Sequence, residues 1–492
     1  MKNEHDRYSR IFFLIVAAGL LLRLININMP ILEGTAARQV QTAMITRNLF
    51  RNGYNIFYPQ VDFFGPGPGY LVLEFPLFNL VTALLYGVFG GVREWLGRLV
   101  SVFFFLGTSL FTYGIARSLF NRRTALISFA VITFSPLSII FSRAFMPDFE
   151  VLFFSAGAIY FLTVWAEEDK ARYFGVSAVF ASLSLLCKAQ SFYIALPLGF
   201  ILFRKDGVRA LTRPRNYIYL FAALAPALLW YLRARGIHLT HTEGLFNYEV
   251  SKWFQPAVFF GKEFYFDVFR NIVMMALTPV GFTFFLIGLF VRGRGGFDKL
   301  PWAWMAGVAL FYVVFNTRMY DPYYNLPFLP VAAVFAGRGA DKVFGEQFLR
   351  ETRFDGFFPR LAAFFLVAVM VARYAVYAFV VPAGYAHLTE ASARMREISD
   401  KGDLVVASSS TNSAALYYSD RKGWAFGIPS GDARAELSFE KLRALAGEGA
   451  EYFLVSSVEE LNSGGLFREM VEKNYTRVAG EKGKYAIYSL EE

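Results

Sequence analysis

The chain is organised by long apolar stretches separated by short polar, mostly basic pieces. Stretches of roughly 15–23 residues fall near 11–28, 97–116, 125–141, 149–166, 174–187, 191–203, 216–232, 271–291, 301–315, 323–337 and 361–382. That spacing predicts a polytopic α-helical membrane protein of about 11–13 spans. The first stretch has basic flanks but runs through Asn26 and Asn28 into Met29-Pro30, with no small-residue cleavage site, so it reads as a span and not a signal peptide. After about residue 383 the pattern changes. Asp403–Ser408, Tyr452–Ser456 and Tyr485–Ser489 read as strands, and helical periods near 389–399, 412–419, 438–446 and 458–473 alternate with them. This predicts a small C-terminal α/β domain with a parallel sheet, dividing the chain into a membrane domain, 1–382, and a tail, 383–492.

Charge sets the orientation. With the N-terminus inside and eleven spans, the cytoplasmic pieces hold 21 lysines and arginines, against 3 in the short outer turns. This places the N-terminus in the cytoplasm of a plasma (inner) membrane. The loop 29–96, the loop 233–270 and the C-terminal domain then lie outside. A further apolar segment, 69–90, would invert every later loop if it crossed. Its Gly65-Pro66-Gly67-Pro68 entry, Glu74-Phe75-Pro76 and Asn79 fit an interfacial or re-entrant segment instead.

Composition agrees: 55% hydrophobic, 18% charged and one cysteine. These values exclude a disordered chain and a disulfide framework. The formal charge of +10 needs no nucleic acid, because cytoplasmic loops account for much of the basic content. There is no GxxxxGK[ST] and no GxGxxG after a strand, so no nucleotide is implied as an energy source. No internal repeat or low-complexity segment is visible.

Candidate chemistry gathers on the outer side. Residues 34–52 have helical apolar periodicity; such a helix could lie flat on the leaflet and offer Arg38 and Thr42 to a phosphate. The turn Ser142-Arg143-Ala144-Phe145-Met146-Pro147-Asp148 puts an acid where the chain re-enters the membrane. Arg143 would help to keep it ionised there, as a general base toward a hydroxyl or simply as a helix N-cap. Lys188 suits a lipid phosphate or plain snorkelling. Arg318 with Tyr323 and Tyr324 suits sugar stacking and phosphate contact, or an aromatic belt. His238, His241 and Glu243 could contribute to a divalent metal site, though the spacing is loose and no third strong ligand is evident.

Several of these stretches together resemble the GT-C glycosyltransferases, in the branch of the lipid A aminoarabinose transferases, protein O-mannosyltransferases and bacterial RgtA/B/C/D-like enzymes. The matching pieces are Ile45-Thr-Arg-Asn-Leu49, Phe57-Tyr-Pro-Gln-Val-Asp62, Glu74-Phe-Pro-Leu77, Arg98-Leu99, Ser118–Arg123, Phe134-Ser-Pro136, Ser142–Asp148, Leu186-Cys-Lys188 and Tyr323–Pro330. They cover roughly residues 10–340. The resemblance implies transfer of a sugar from a polyprenyl-phosphate carrier to a lipid, glycan or protein acceptor on the extracytoplasmic face. It also implies two surface helices in the first external loop, the second matching 69–90, and a catalytic acid in that loop. The family's usual Asp-Glu pair falls here on Arg38-Gln39, so the loop acid must be sought at Glu33, Asp62 or Glu74, in that order, while Asp148 matches its family position. On this reading Lys188, Arg143 and either Arg38 or Arg318 stabilise the departing phosphate in a metal-independent, inverting transfer. A lipid-linked sugar flippase and a non-catalytic subunit that has lost its acid are the rival readings.

Overall fold

The computed structural model describes residues 2–241, 253–293, 295–345, 357–408 and 413–491. The chain forms two compact units. The first comprises Met1–Ile27, Leu73–Phe78 and Arg98–Ala378; the second comprises Asn28–Val72, Asn79–Gly97 and Phe379–Glu492. Most of residues 29–96 therefore falls in the same unit as the tail.

The helices, in chain order, begin with α1 (Lys2–Leu24), α2 (Ala36–Arg51), α3 (Leu77–Val88), α4 (Glu94–Leu119), α5 (Arg122–Phe134) and α6 (Pro136–Phe141). Then come α7 (Asp148–Glu168), α8 (Ala171–Cys187), α9 (Ala195–Asp206), α10 (Pro214–His241), α11 (Lys262–Arg270) and α12 (Thr278–Phe290). Next are α13 (Leu300–Val314), α14 (Phe328–Val343), α15 (Phe357–Ala375) and α16 (Leu388–Ile398). Among the described residues, Glu94–Leu119, Asp148–Glu168, Pro214–His241 and Phe365–Tyr385 are each long and apolar enough to cross a membrane. The segment 69–90 is helical only over Leu77–Val88. Twelve residues rise roughly 18 Å, short of a hydrocarbon core of about 30 Å.

Two expected spans are broken. Residues 125–141 divide at Ser135-Pro136, where the proline lacks an N–H and begins the new helix, α6. Residues 271–291 divide at Leu277, with a 100° bend between Lys262–Ala276 and Thr278–Phe290. Thr278 there takes φ +60, and Pro279 opens α12. Hydropathy registers neither break because the flanking residues stay apolar. Within the first unit, α12 and α14 approach closely through glycine. A Cβ on Gly288 would lie 1.9 Å from the Phe335 carbonyl oxygen, and one on Gly339 would lie 1.9 Å from that of Phe284.

The tail sheet contains β1 (Leu404–Ser408), β2 (Gly423–Phe426), β3 (Ala450–Val455), β4 (Thr476–Glu481) and β5 (Tyr485–Ser489), in the order β2-β1-β3-β5-β4. Its first three strands are parallel, but β5 runs antiparallel to both β3 and β4. The sheet is mixed, which corrects the expected parallel one. The physical reason is the three-residue link 482–484, with Gly483 at φ +79, because so short a connection can join only antiparallel neighbours. Strand β4 escaped the sequence reading because it is an edge strand whose residues are mostly exposed, and β2 because it is only four residues long. Phe439, Phe453, Phe467 and Val471 fill the core of this domain. The first loop closes the β2 edge: Gly65 N–H donates to the Gly423 carbonyl at 2.8 Å, and Gly423 N–H donates to that of Asp62 at 2.9 Å.

Candidate active site

The site in the first unit starts from a helical hairpin. Helices α7 and α8 pack along their length, with Ser155 and Ser184 hydroxyls 2.7 Å apart and the Ser177 hydroxyl donating to the Ala158 carbonyl at 2.7 Å. An antiparallel pair brings the first residue of α7 beside the residue that follows α8 as its C-cap. Those residues are Asp148 and Lys188, and Lys188 Nζ donates to Asp148 Oδ1 at 2.7 Å. The carboxylate also sits in the first turn of α7, where the helix dipole favours negative charge. Asp148 Oδ2 is buried and accepts no hydrogen bond.

The turn before α7 is held rigidly. Arg23 Nε donates to Ser142 Oγ at 2.6 Å, Arg98 Nη1 to the Arg143 carbonyl at 3.1 Å, and Ser101 Oγ to the Ala144 carbonyl at 2.6 Å. Arg23, Arg98 and Arg143 are all fully buried. The cation that meets Asp148 is Lys188; Arg143, expected beside that acid, directs Nη2 to the Asn26 carbonyl at 3.3 Å.

Tyr323 and Tyr324 stand over the ion pair on a short 3₁₀ turn, Pro322–Asn325. Their ring centroids lie 5.4 and 5.5 Å from Lys188 Nζ, within cation–π range. Buried Asn325 fixes the turn, accepting from the Tyr312 hydroxyl at 2.9 Å and donating to the Met319 carbonyl at 3.3 Å. Asp148, Lys188, Tyr323 and Tyr324 thus line one pocket with Gln190 and Ser191, beside an apolar wall of Val151, Leu152, Phe311 and Leu326. Arg318 lies on the preceding turn and faces Asp321. Burial raises the Asp321 carboxyl above its usual value, and Arg318 opposes the rise.

The other candidate residues are placed elsewhere. Asp62, in the second unit, accepts from Arg47 Nη2 at 2.6 Å and from Asn48 Nδ2 at 2.9 Å, so both oxygens are engaged. Glu33 is buried, and its backbone carbonyl accepts from Gln39 Nε2 at 2.7 Å. Arg38 donates to Gln41, and the Thr42 hydroxyl is used on the Arg38 carbonyl. Helix α2 does not present a bare polar face either, since Gln39, Thr42, Thr46, Arg47 and Asn48 are all buried. Glu74, in the first unit, is near enough to Glu150 for their charges to interact. His238 is buried in α10, Glu243 lies outside the described residues, and no group of three possible metal ligands occurs among the described residues.

Sequence reasoning missed Glu150, which is fully buried two residues beyond Asp148, beside Cys187. An acid inside an apolar helix was its available signal. Gln190 and Ser191 carried none.

Comparison with known proteins follows the same lines. Residues 74–231 match the profile of the family described as dolichyl-phosphate-mannose-protein mannosyltransferase. No curated protein sequence matches. Among solved structures, ArnT from Cupriavidus metallidurans bound to undecaprenyl phosphate superposes with TM-score 0.64 at 14% identity, over 97% of this chain and 98% of that one. The oligosaccharyltransferase of Archaeoglobus fulgidus superposes with TM-score 0.60 at 16% identity, over 99% of this chain and 74% of that one. The mycobacterial arabinofuranosyltransferase AftD gives TM-score 0.56 at 13% identity, over 98% of this chain but 40% of that one. The chain has the GT-C fold: a polytopic helical membrane protein with a small C-terminal α/β domain.

Proposed function

We propose that this chain is a glycosyltransferase that moves a sugar from a polyprenyl-phosphate carrier to an acceptor hydroxyl on the extracytoplasmic face of the membrane. The observation that carries the reading is the Asp148–Lys188 pair beneath Tyr323 and Tyr324, with Asp148 Oδ2 buried and unbonded. The likeness to ArnT bound to undecaprenyl phosphate, and to the Archaeoglobus fulgidus oligosaccharyltransferase AglB in complex with dolichol-phosphate, supports a donor of this class.

Asp148 Oδ2 takes the acceptor proton as the acceptor oxygen attacks the anomeric carbon. The bond from that carbon to the phosphate oxygen breaks, its electron pair leaves with the phosphate, and the configuration inverts. Lys188 turns from Asp148 toward the developing phosphate charge, which frees the carboxylate as the leaving group is neutralised. The two tyrosine rings keep the ammonium close during that exchange, and the wall of Val151, Leu152, Phe311 and Leu326 takes the first isoprene units. No residue in this scheme needs a metal.

The test is transfer by purified protein from radiolabelled polyprenyl-phosphate sugars to a membrane extract. Product from the wild type but not from Asp148→Asn, with donor binding intact, is expected. Full activity in Asp148→Asn would remove the acid from the mechanism.

A further inference from the structure

A groove of about 450 Å3 in the second unit has no part in the chemistry above. Trp95, Arg51, Arg396, Tyr418, Glu94 and Asp420 shape it. Its polar groups are fixed by one another before any ligand arrives. Asp420 clamps Arg51 with two bonds of 2.6 and 3.1 Å, and also meets Arg47 at 3.0 Å. Arg396 donates to the Tyr418 carbonyl, while the Tyr418 hydroxyl accepts from Ile31 N–H at 2.8 Å and donates to Glu94 at 3.2 Å. Phe89 braces the half-buried Trp95 edge-on at 5.5 Å.

These contacts leave a particular set of groups on offer. Arg47 is committed to Asp62 and Asp420. Arg51, 36% exposed, and the exposed Arg396 also line the groove, together with the half-buried Trp95. An apolar ligand would desolvate charges without return. A bare anion needs neither the indole nor this much room. A sugar ring stacks its C–H face on an indole, while planar guanidinium groups bind vicinal hydroxyls or an acid group in pairs. The groove's size is also within the range of small-molecule sites.

We infer that this groove binds a saccharide unit carrying a carboxylate or a phosphate. Its use as a holding site for an acceptor glycan rests on the transferase reading; the binding itself does not.

The experiment uses full-length protein in lipid nanodiscs, titrated with a glucuronate-containing disaccharide, glucose 6-phosphate, cellobiose and inorganic phosphate. Saturable binding of at least one of the two acidic sugars is expected, with both neutral cellobiose and phosphate alone weaker. Arg396→Gln should weaken that binding about tenfold, the effect of losing one charge-assisted contact, and Trp95→Ala about fivefold, the effect of losing one aromatic contact, both with unchanged melting temperatures. Arg396→Lys should restore part of it, and Asp148→Asn should leave it intact. No saturable binding, phosphate binding as tight as the sugars, or indifference to both groove variants would overturn the inference. If the disaccharide binds and the variants weaken it, yet no donor supports transfer, the groove stands and the transferase reading falls.

Discussion

Two buried acid–base pairs in this protein look alike on paper and differ in what they leave unused. In the second unit Arg47 holds one oxygen of Asp62 at 2.6 Å and Asn48 holds the other at 2.9 Å. In the first unit Lys188 holds one oxygen of Asp148 at 2.7 Å, and the other has no hydrogen bond. A carboxylate with both oxygens engaged is a structural fastener, and taking a proton would cost it those bonds. A carboxylate with one buried oxygen spare retains capacity to accept a proton, which general base catalysis requires. The sequence ranked both as candidate acids; their partners separate them.

The largest test of that contrast is catalytic. Asp148→Asn should lower the transfer rate about 10²–10⁴-fold with only a small fall in melting temperature, because the amide oxygen still accepts from Lys188, measured by donor turnover alongside thermal unfolding. Asp62→Ala should do the reverse. It takes from buried Arg47 one of its two carboxylate partners and leaves it Asp420 and the Tyr417 carbonyl, a loss of up to about 3 kcal/mol for a broken buried pair, visible as a fall in thermal stability, while the protein that remains folded keeps its turnover per molecule. If Asp62→Ala abolished turnover in folded protein, the contrast would collapse.

Smaller effects sharpen it. Lys188→Ala should weaken binding of the phosphate-bearing donor about tenfold, a charge-assisted contact, in an equilibrium binding assay, with Lys188→Arg recovering part. Tyr323→Leu removes one of two rings over that ammonium and should cost donor affinity a few-fold, since a cation–π contact is worth about 0.5–2 kcal/mol. The least change concerns acid stability. Burial alone pushes the Asp420 carboxyl up, but the Arg51 hydrogen bond and the charges of Arg47 and Arg51 outweigh it and hold the group below its ordinary 3.8. A lowered folded value means that Asp420 stabilises the fold above that ordinary value, and that this contribution disappears as pH falls through the lowered one. Asp420→Asn should therefore flatten the stability profile only at the acid end of a pH series of melts.

Much of the architecture was readable from the chain. Apolar length alone marks α4, α7 and α10 as spans, because a bilayer core demands a set number of apolar residues. Short runs rich in valine, isoleucine and aromatic residues marked β1, β3 and β5, whose residues are largely buried. The mixed sheet and the bend before Thr278 were not readable, since a three-residue link and one positive φ leave hydropathy unchanged.

The candidate site divides in the same way. Asp148, Lys188, Tyr323 and Tyr324 were visible individually, as polar or aromatic groups where apolar stretches end. That 40 and 135 residues of chain fold back to place them around one pocket follows from the α7–α8 hairpin and the Asn325-anchored turn. Local residue type determines which segments can enter a membrane and which side chains carry chemistry, because these are properties of a residue and its near neighbours. Which oxygen of which acid stays unbonded depends on partners distant in sequence, and only the tertiary structure decided that.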